Sequence, residues 1–109
     1  GPAAYDLASL LSDPYADLPA SLQQALLRHY ANRHPQCPAI AAVFPAAAVQ
    51  RLCQALGAYA VLSRKPGMAH FARHVPAAAR QLLRALRGQS LPALAAVARR
   101  LAQKPPNPA

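Results

Sequence analysis

The sequence predicts an all-α bundle of five or six short helices. Twelve prolines cut the 109-residue chain into pieces of helix length. Within those pieces apolar residues recur three and four apart, and no stretch sustains the alternation of a half-buried strand. At 54% apolar, the chain can bury one core and is too short for two domains. Much of that apolar content is Ala, so the core should be thin, because small side chains bury little area at about 25 cal/mol per Å². The organisation read from this is a single helical domain, residues 1–103, followed by a Pro-rich, disordered tail, residues 104–109.

A first helix is predicted from about Ala4 to Leu11, stopped by Asp13-Pro14. A second follows Pro19 and runs to about Asn32, with Asp17 or Ser21 as its cap and Leu22, Ala25, Leu26 and Tyr30 as its apolar face. His34 to Pro38 reads as a loop, with a short helix at about Ala39–Val43 after it. The longest helix is expected from Pro45 to about Arg64. Val49, Leu52, Cys53, Leu56, Tyr59 and Ala60 form its inward face. Tyr59 is either core or a pocket wall, core being favoured. Gly57 in its middle costs about 1 kcal/mol against Ala, which points to close packing against another helix or to a ligand there, packing being favoured. Met68 to Val75 is a connector. Pro76 opens a helix to about Arg87 with Ala79, Leu82, Leu83 and Leu86 inside and Gly88 as its stop. Ser90 caps a last helix to about Gln103, with Leu94, Val97, Ala98 and Leu101 inside.

The charge is segregated. All three acids, Asp6, Asp13 and Asp17, lie in the first seventeen residues, and all twelve Lys and Arg lie after them, for a net charge of +9. Such a balance calls for a polyanionic partner or for an acidic segment elsewhere. Arg73, Arg80, Arg84 and Arg87 recur at seven, four and three, the last three on one helix face, and Arg99, Arg100 and Lys104 follow. A solvated face is the plainest reading, and contact with acids of an absent segment the next. Nucleic acid is disfavoured because none of the six aromatics lies in the Arg-rich C-terminal third. Asp13 and Asp17 are explained as turn and cap residues.

Cys37 and Cys53 form no redox or metal signature, and no disulfide is expected. His29, His34 and Cys37 form one group and His70 with His74 another, and neither reaches the four ligands of a structural zinc site. No metal is predicted. There is no signal peptide pattern and no run of eighteen apolar residues, so no membrane span is expected and the cytoplasm is the default location.

Gly1-Pro2-x-x-Tyr5-Asp6-Leu7-Ala8-x-Leu10-Leu11-x-Asp13-Pro14-Tyr15 resembles the segment just after the metal-binding Asp-Phe of aminoglycoside-phosphotransferase-like kinases. Gln50-Arg51-Leu52-x-Gln54-Ala55-Leu56-Gly57-Ala58-Tyr59 is similar to a later helix of that family. Gly67 to Pro76, with Phe71, His74 and Val75-Pro76, is similar to the loop after it. The likeness covers residues 1 to about 87 in order. It is nearest in look to the bacterial cell-wall-recycling kinases that phosphorylate N-acetylmuramate or N-acetylglucosamine at the anomeric hydroxyl. The resemblance implies the C-terminal helical part of a kinase-like large lobe. It gives Asp6 the role of holding the catalytic-loop backbone, and puts Arg51, His70, Phe71 and His74 near the acceptor pocket.

The resemblance also implies what these residues lack. The family's nucleotide lobe, catalytic Asp and metal-binding Asp all precede the position of Gly1, and none of the four His is followed two residues later by Asp. No catalytic residue is assigned to this chain and it binds no cofactor of its own; ATP and Mg²⁺ belong to the complete enzyme. The expected partners are the missing N-terminal part of the kinase, or a second copy covering exposed apolar surface, and a small sugar acceptor. The lack of any acid after Asp17 disfavours a cationic acceptor and suits a neutral or anionic sugar. The alternative is a free-standing basic helical module that binds nucleic acid or an acidic protein.

Overall fold

The computed structural model describes residues 2–35 and 39–103. Cys37, part of the predicted loop before Ala39, and the tail 104–109 lie outside them. Among the described residues the chain is all helical, with no strand. Five α-helices follow in order: α1 Pro2–Leu11, α2 Ala20–Arg33, α3 Ile40–Leu62, α4 Val75–Ala85 and α5 Pro92–Gln103. A 3₁₀ helix, Ala69–His74, leads directly into α4.

α3 is the spine. α1 and α4 both pack along it, and α5 packs on α4. α1 runs antiparallel to the middle of α3, because Tyr5 donates from its hydroxyl to Gln54 while Ser9 accepts from Arg51. The first half of α3 buries Ile40, Phe44 and Ala48 against Ala4, Leu7, Ala8 and Leu11 of α1 and Leu27 of α2. Its second half buries Leu52, Ala55 and Tyr59 against Ala78, Leu82 and Leu86 around α4 and Ala98 of α5. Nearly half of the buried apolar residues are Ala, so the helices approach closely and the core is thin.

Several boundaries and faces differ from the expected ones. α3 begins at Ile40, not at Pro45, and absorbs the separate short helix expected at Ala39–Val43. Pro45 sits in its second turn, where its missing N–H deprives only the carbonyl of Ala41, which is exposed and open to water. Ile40 and Phe44, four apart and buried, fasten that first turn to α1. The inward face of α3 is also rotated from the predicted one. Ala48 and Ala55 are buried, whereas Cys53 and Ala60 are exposed. In a helix apolar on every side, spacing does not single out a face.

α2 is turned as well. Gln23 and Leu27 are buried, while Leu22 and Leu26 remain 43% and 38% exposed. A polar residue takes the inner position because Gln23 Nε2 finds the Leu11 carbonyl at 3.0 Å. No side chain caps α2, whose N-cap residue is Pro19. Asp17 adopts a left-handed backbone, φ 46°, and uses its carboxylate elsewhere. Asp13 fulfils its turn role, accepting from the Tyr15 N–H at 2.9 Å. α4 ends at Ala85, short of the expected Arg87, and Gly88, φ 79°, closes the turn that follows it; Val97 of α5 is 51% exposed, not inside.

By length and composition α3 could cross a membrane, contrary to the expectation from apolar runs, since its many Ala residues raise the mean hydropathy. Its middle carries Arg51, hydrogen-bonded to Ser9. At a bilayer centre an Arg is penalised by about 2.5–3.5 kcal/mol.

Gly57 is exposed and a methyl group there meets nothing within 4 Å, so the close packing predicted for it is absent. Gly57→Ala should raise stability by about 1 kcal/mol in urea unfolding, the helix-propensity difference. Leu52→Ala, at the fully buried centre of α3, should lower stability by about 2–5 kcal/mol. A destabilised Gly57→Ala variant would show that a partner packs on that face.

Candidate functional site

The residues with the most chemistry at one place are aromatic and imidazole rings. The short linker after α3 coils into the 3₁₀ helix, which presents His70, Phe71 and His74 to the C-terminal end of α3. Phe71 stacks on Tyr59 with ring centroids 6.3 Å apart, and His70 lies 4.5 Å from Phe71. From the other side the Asp13-Pro14 turn delivers Tyr15. Its ring meets His74 edge-on at 4.1 Å and lies 6.2 Å from Tyr59. His74 and Tyr59 are 5.9 Å apart. Tyr59 is buried at the base, His74 and Phe71 are half-buried, and Tyr15 and His70 are exposed at the rim.

The electrostatics favour neutral groups. Burial pushes the Tyr59 phenol up from its usual value, reinforced by Tyr15 and Asp13 and opposed by Arg51. Burial likewise holds the His74 imidazole below its usual value, with Arg73 and His70 adding to this and Asp13 opposing it. A neutral imidazole offers one donor and one acceptor nitrogen. With a Tyr hydroxyl beside it, the wall can stack against an apolar face and hydrogen-bond hydroxyl groups.

Of the residues marked out in the sequence, His70, Phe71 and His74 come together. Arg51 is half-buried on α3, where its Nε donates to Ser9 Oγ at 3.1 Å, and its charge is felt at Tyr59. Asp6 is exposed on α1, apart from the rings. Tyr59 is a core residue, as favoured, packed with Leu52, Ala55 and Leu82. Tyr15, the last residue of the first motif, joins the site through the turn before it, which brings its ring to His74.

Of the arginine stripe only Arg84 is half-buried, while Arg73, Arg80 and Arg87 are exposed. Arg80 pairs with Asp17 at 3.0 Å, and Arg84 donates to the Leu18 carbonyl at 2.9 Å and to Gln81 Oε1 at 3.1 Å. Among the described residues Arg87 has no such partner. No group of three or more His, Cys, Asp or Glu able to hold a metal occurs among them either.

On acidification two groups make stability depend on pH. His74 titrates below its unfolded value of 6.5, so its contribution to stability is present above pH 6.5 and is lost as pH falls through the folded value. Asp17 also titrates low. Burial alone would raise it, but the Gln81 hydrogen bond and Arg80, with Arg84, outweigh that. Its contribution is present above the unfolded value of 3.8 and lost as pH falls through the folded one. Unfolding free energy measured across pH should therefore fall in two steps on acidification, and His74→Phe should remove the upper one. A single step near the Asp17 range in the unmodified chain would contradict the burial of His74.

Comparison with family models, with curated proteins and with solved structures finds no match to this chain in any of the three.

Proposed function

We propose that these residues are the C-terminal helical part of an ATP- and Mg²⁺-dependent small-molecule phosphotransferase, and that the ring cluster walls its acceptor pocket. The acceptor is a neutral or anionic amino sugar, the N-acetylmuramate or N-acetylglucosamine class. Nucleotide lobe, catalytic Asp and metal-binding Asp come from the rest of the enzyme, which works in the cytoplasm. The observation that carries the reading is the convergence of His70, Phe71 and His74 with Tyr15 on Tyr59. Three of these residues come from the loop that the resemblance assigns to the acceptor, and Tyr15 closes its first motif. Rings with a few hydroxyl and imidazole groups suit a sugar's apolar face and its hydroxyls. The absence of any acid after Asp17 agrees with a non-cationic acceptor.

The basic-module reading has the net charge of +9 in its favour. Against it, Arg80 and Arg84 are engaged within the fold, and none of the clustered rings lies on α4 or α5.

The 109-residue chain alone should transfer no phosphate from ATP to amino sugars, since it contains no H-x-D-x-x-x-x-N-like catalytic loop. Joined to a nucleotide lobe and catalytic loop of the kinase family, it should phosphorylate N-acetylmuramate or N-acetylglucosamine. In that protein His74→Ala should raise the acceptor KM by about tenfold, a loss of about 1.4 kcal/mol, with the KM for ATP unchanged. Turnover by the chain alone, or a joined protein inert towards every sugar while the chain binds DNA with a steep salt dependence, would overturn the proposal.

A further inference from the structure

A second site lies at the other end of the spine. A cavity of about 260 Å³ opens where α1 ends, α2 begins, and the first half of α3 meets the last turn of α4. Ala48 in its wall and Tyr59 at the ring cluster are eleven residues apart on one helix, about 16 Å at 1.5 Å per residue. The two sites are therefore separate, and the chemistry of this cavity is independent of the phosphotransferase reading.

The cavity is mixed in character, with buried polar groups beside an apolar side. Its wall includes Ser12, Gln23 and Gln81, which are 2%, 3% and 1% exposed. Gln23 Nε2 donates to the Leu11 carbonyl at 3.0 Å and lies 3.3 Å from Ser12 Oγ and 3.2 Å from Gln81 Oε1. Gln81 Nε2 in turn donates to Asp17 Oδ1 at 2.9 Å. The buried amides are thus fixed by partners on three sides of the cavity before any ligand arrives. Pre-organisation of this kind lowers the ordering cost of binding.

Arg84 and Arg87 complete the wall, and no acid lines it. Arg84 is oriented by the two bonds its NH1 makes, to the Leu18 carbonyl and to Gln81 Oε1, which leaves the rest of its fork uncommitted. Arg87 has no partner among the described residues. Asp17, the nearest acid in this network, is already taken by Arg80 and Gln81. Two cationic residues therefore line one cavity that no acid lines, Asp17 acting on Arg84 only from outside it. Paired guanidinium forks match the oxygens of phosphate better than any other common anion. The volume exceeds what one tetrahedral ion needs, and Phe44, Pro45, Ala48 and Ala85 supply an apolar side.

We propose that this cavity is a binding site for a phosphate dianion, held by Arg84 and Arg87 over the Gln23–Gln81 floor, with room for a small organic group esterified to it. The same chemistry is presented by free inorganic phosphate and by a phosphorylated metabolite, and the two are distinguishable. The 109-residue chain is titrated at constant ionic strength with inorganic phosphate, glucose 6-phosphate, glucose and chloride, following thermal unfolding and the amide signals of a ¹⁵N-labelled sample. Saturable stabilisation is expected with phosphate or its ester, with shifts gathered at Ser12, Gln23, Gln81 and Arg84, and none with glucose or chloride. Binding of the ester alone identifies a phosphorylated metabolite as the ligand; binding of inorganic phosphate alone identifies the free ion. Arg87→Ala, on an exposed side chain, should weaken binding about tenfold, the loss of one charge-assisted contact. Arg99→Ala, on α5, should leave it unchanged. Equal loss in the two variants would mean diffuse attraction to a basic surface, and no response to either phosphate compound would mean an empty structural void; either result overturns the proposal.

Discussion

The fold turns on one buried amide. Gln81, on α4, is 1% exposed and has both ends of its side chain occupied. Its Nε2 donates to Asp17 Oδ1 and lies 3.3 Å from the Leu18 carbonyl, and its Oε1 accepts from Gln23 Nε2 and Arg84 NH1. One side chain thus joins α4 to the loop after α1 and to the first turn of α2. The loop gives a backbone carbonyl to it, and α2 contributes its only buried polar residue, Gln23. An amide in this position is favourable only while complete. Removing one partner strands a buried donor or acceptor at a cost of about 1–3 kcal/mol, more than an ordinary hydrogen bond contributes. With a core this rich in Ala, that is a large share of the stability of a small domain.

The same anchor organises both ends of α3. Tyr15 stands two residues before Asp17, so the loop that Gln81 and Arg80 hold at Asp17 also carries Tyr15 to His74 and Tyr59. The Asp13 turn fixes the direction from which it arrives. At the opposite end Gln81 and Gln23 form the floor of the cavity. The ring wall and the cavity are therefore consequences of one loop position, although they have no residue in common.

What the sequence made legible depended on whether neighbouring residues differed in size or polarity. The turn at Gly88 after α4 was readable because only a positive φ explains a glycine there, and the Asp13 turn because the carboxylate, the proline and the chain reversal agree. The face of α3 was not readable. Ala48 and Ala55 point inward while Ala46, Ala58 and Ala60 point out, and nothing in an alanine says which. Nor was the rotation of α2, because Gln23 is buried by partners 12 and 58 residues away in sequence. In the site, the cluster of His70, Phe71 and His74 was local and was found. Tyr59 and Tyr15 joined it only through tertiary packing, and the cavity left no local trace at all.

The segregation of charge takes a different meaning in the fold. Asp17 is the only acid that meets a cation within 4 Å among the described residues, and it does so with Arg80, at side-chain exposures where such a pair contributes about 0.2–1 kcal/mol. Asp13 is turned to its own backbone and Asp6 to solvent. Internal neutralisation therefore removes little of the positive field. Arg80 is held by the Asp17 carboxylate, whereas the hydrogen bonds of Arg84 go only to neutral acceptors. A guanidinium satisfied in geometry but not in charge still attracts an anion, and the more strongly where burial thins the solvent around it. That condition is met at the cavity and not at the ring wall, whose His74 is kept neutral by burial. The two ends of the bundle are thus chemically opposite, one suited to uncharged hydroxyl-bearing molecules and the other to anions, although one amide positions both.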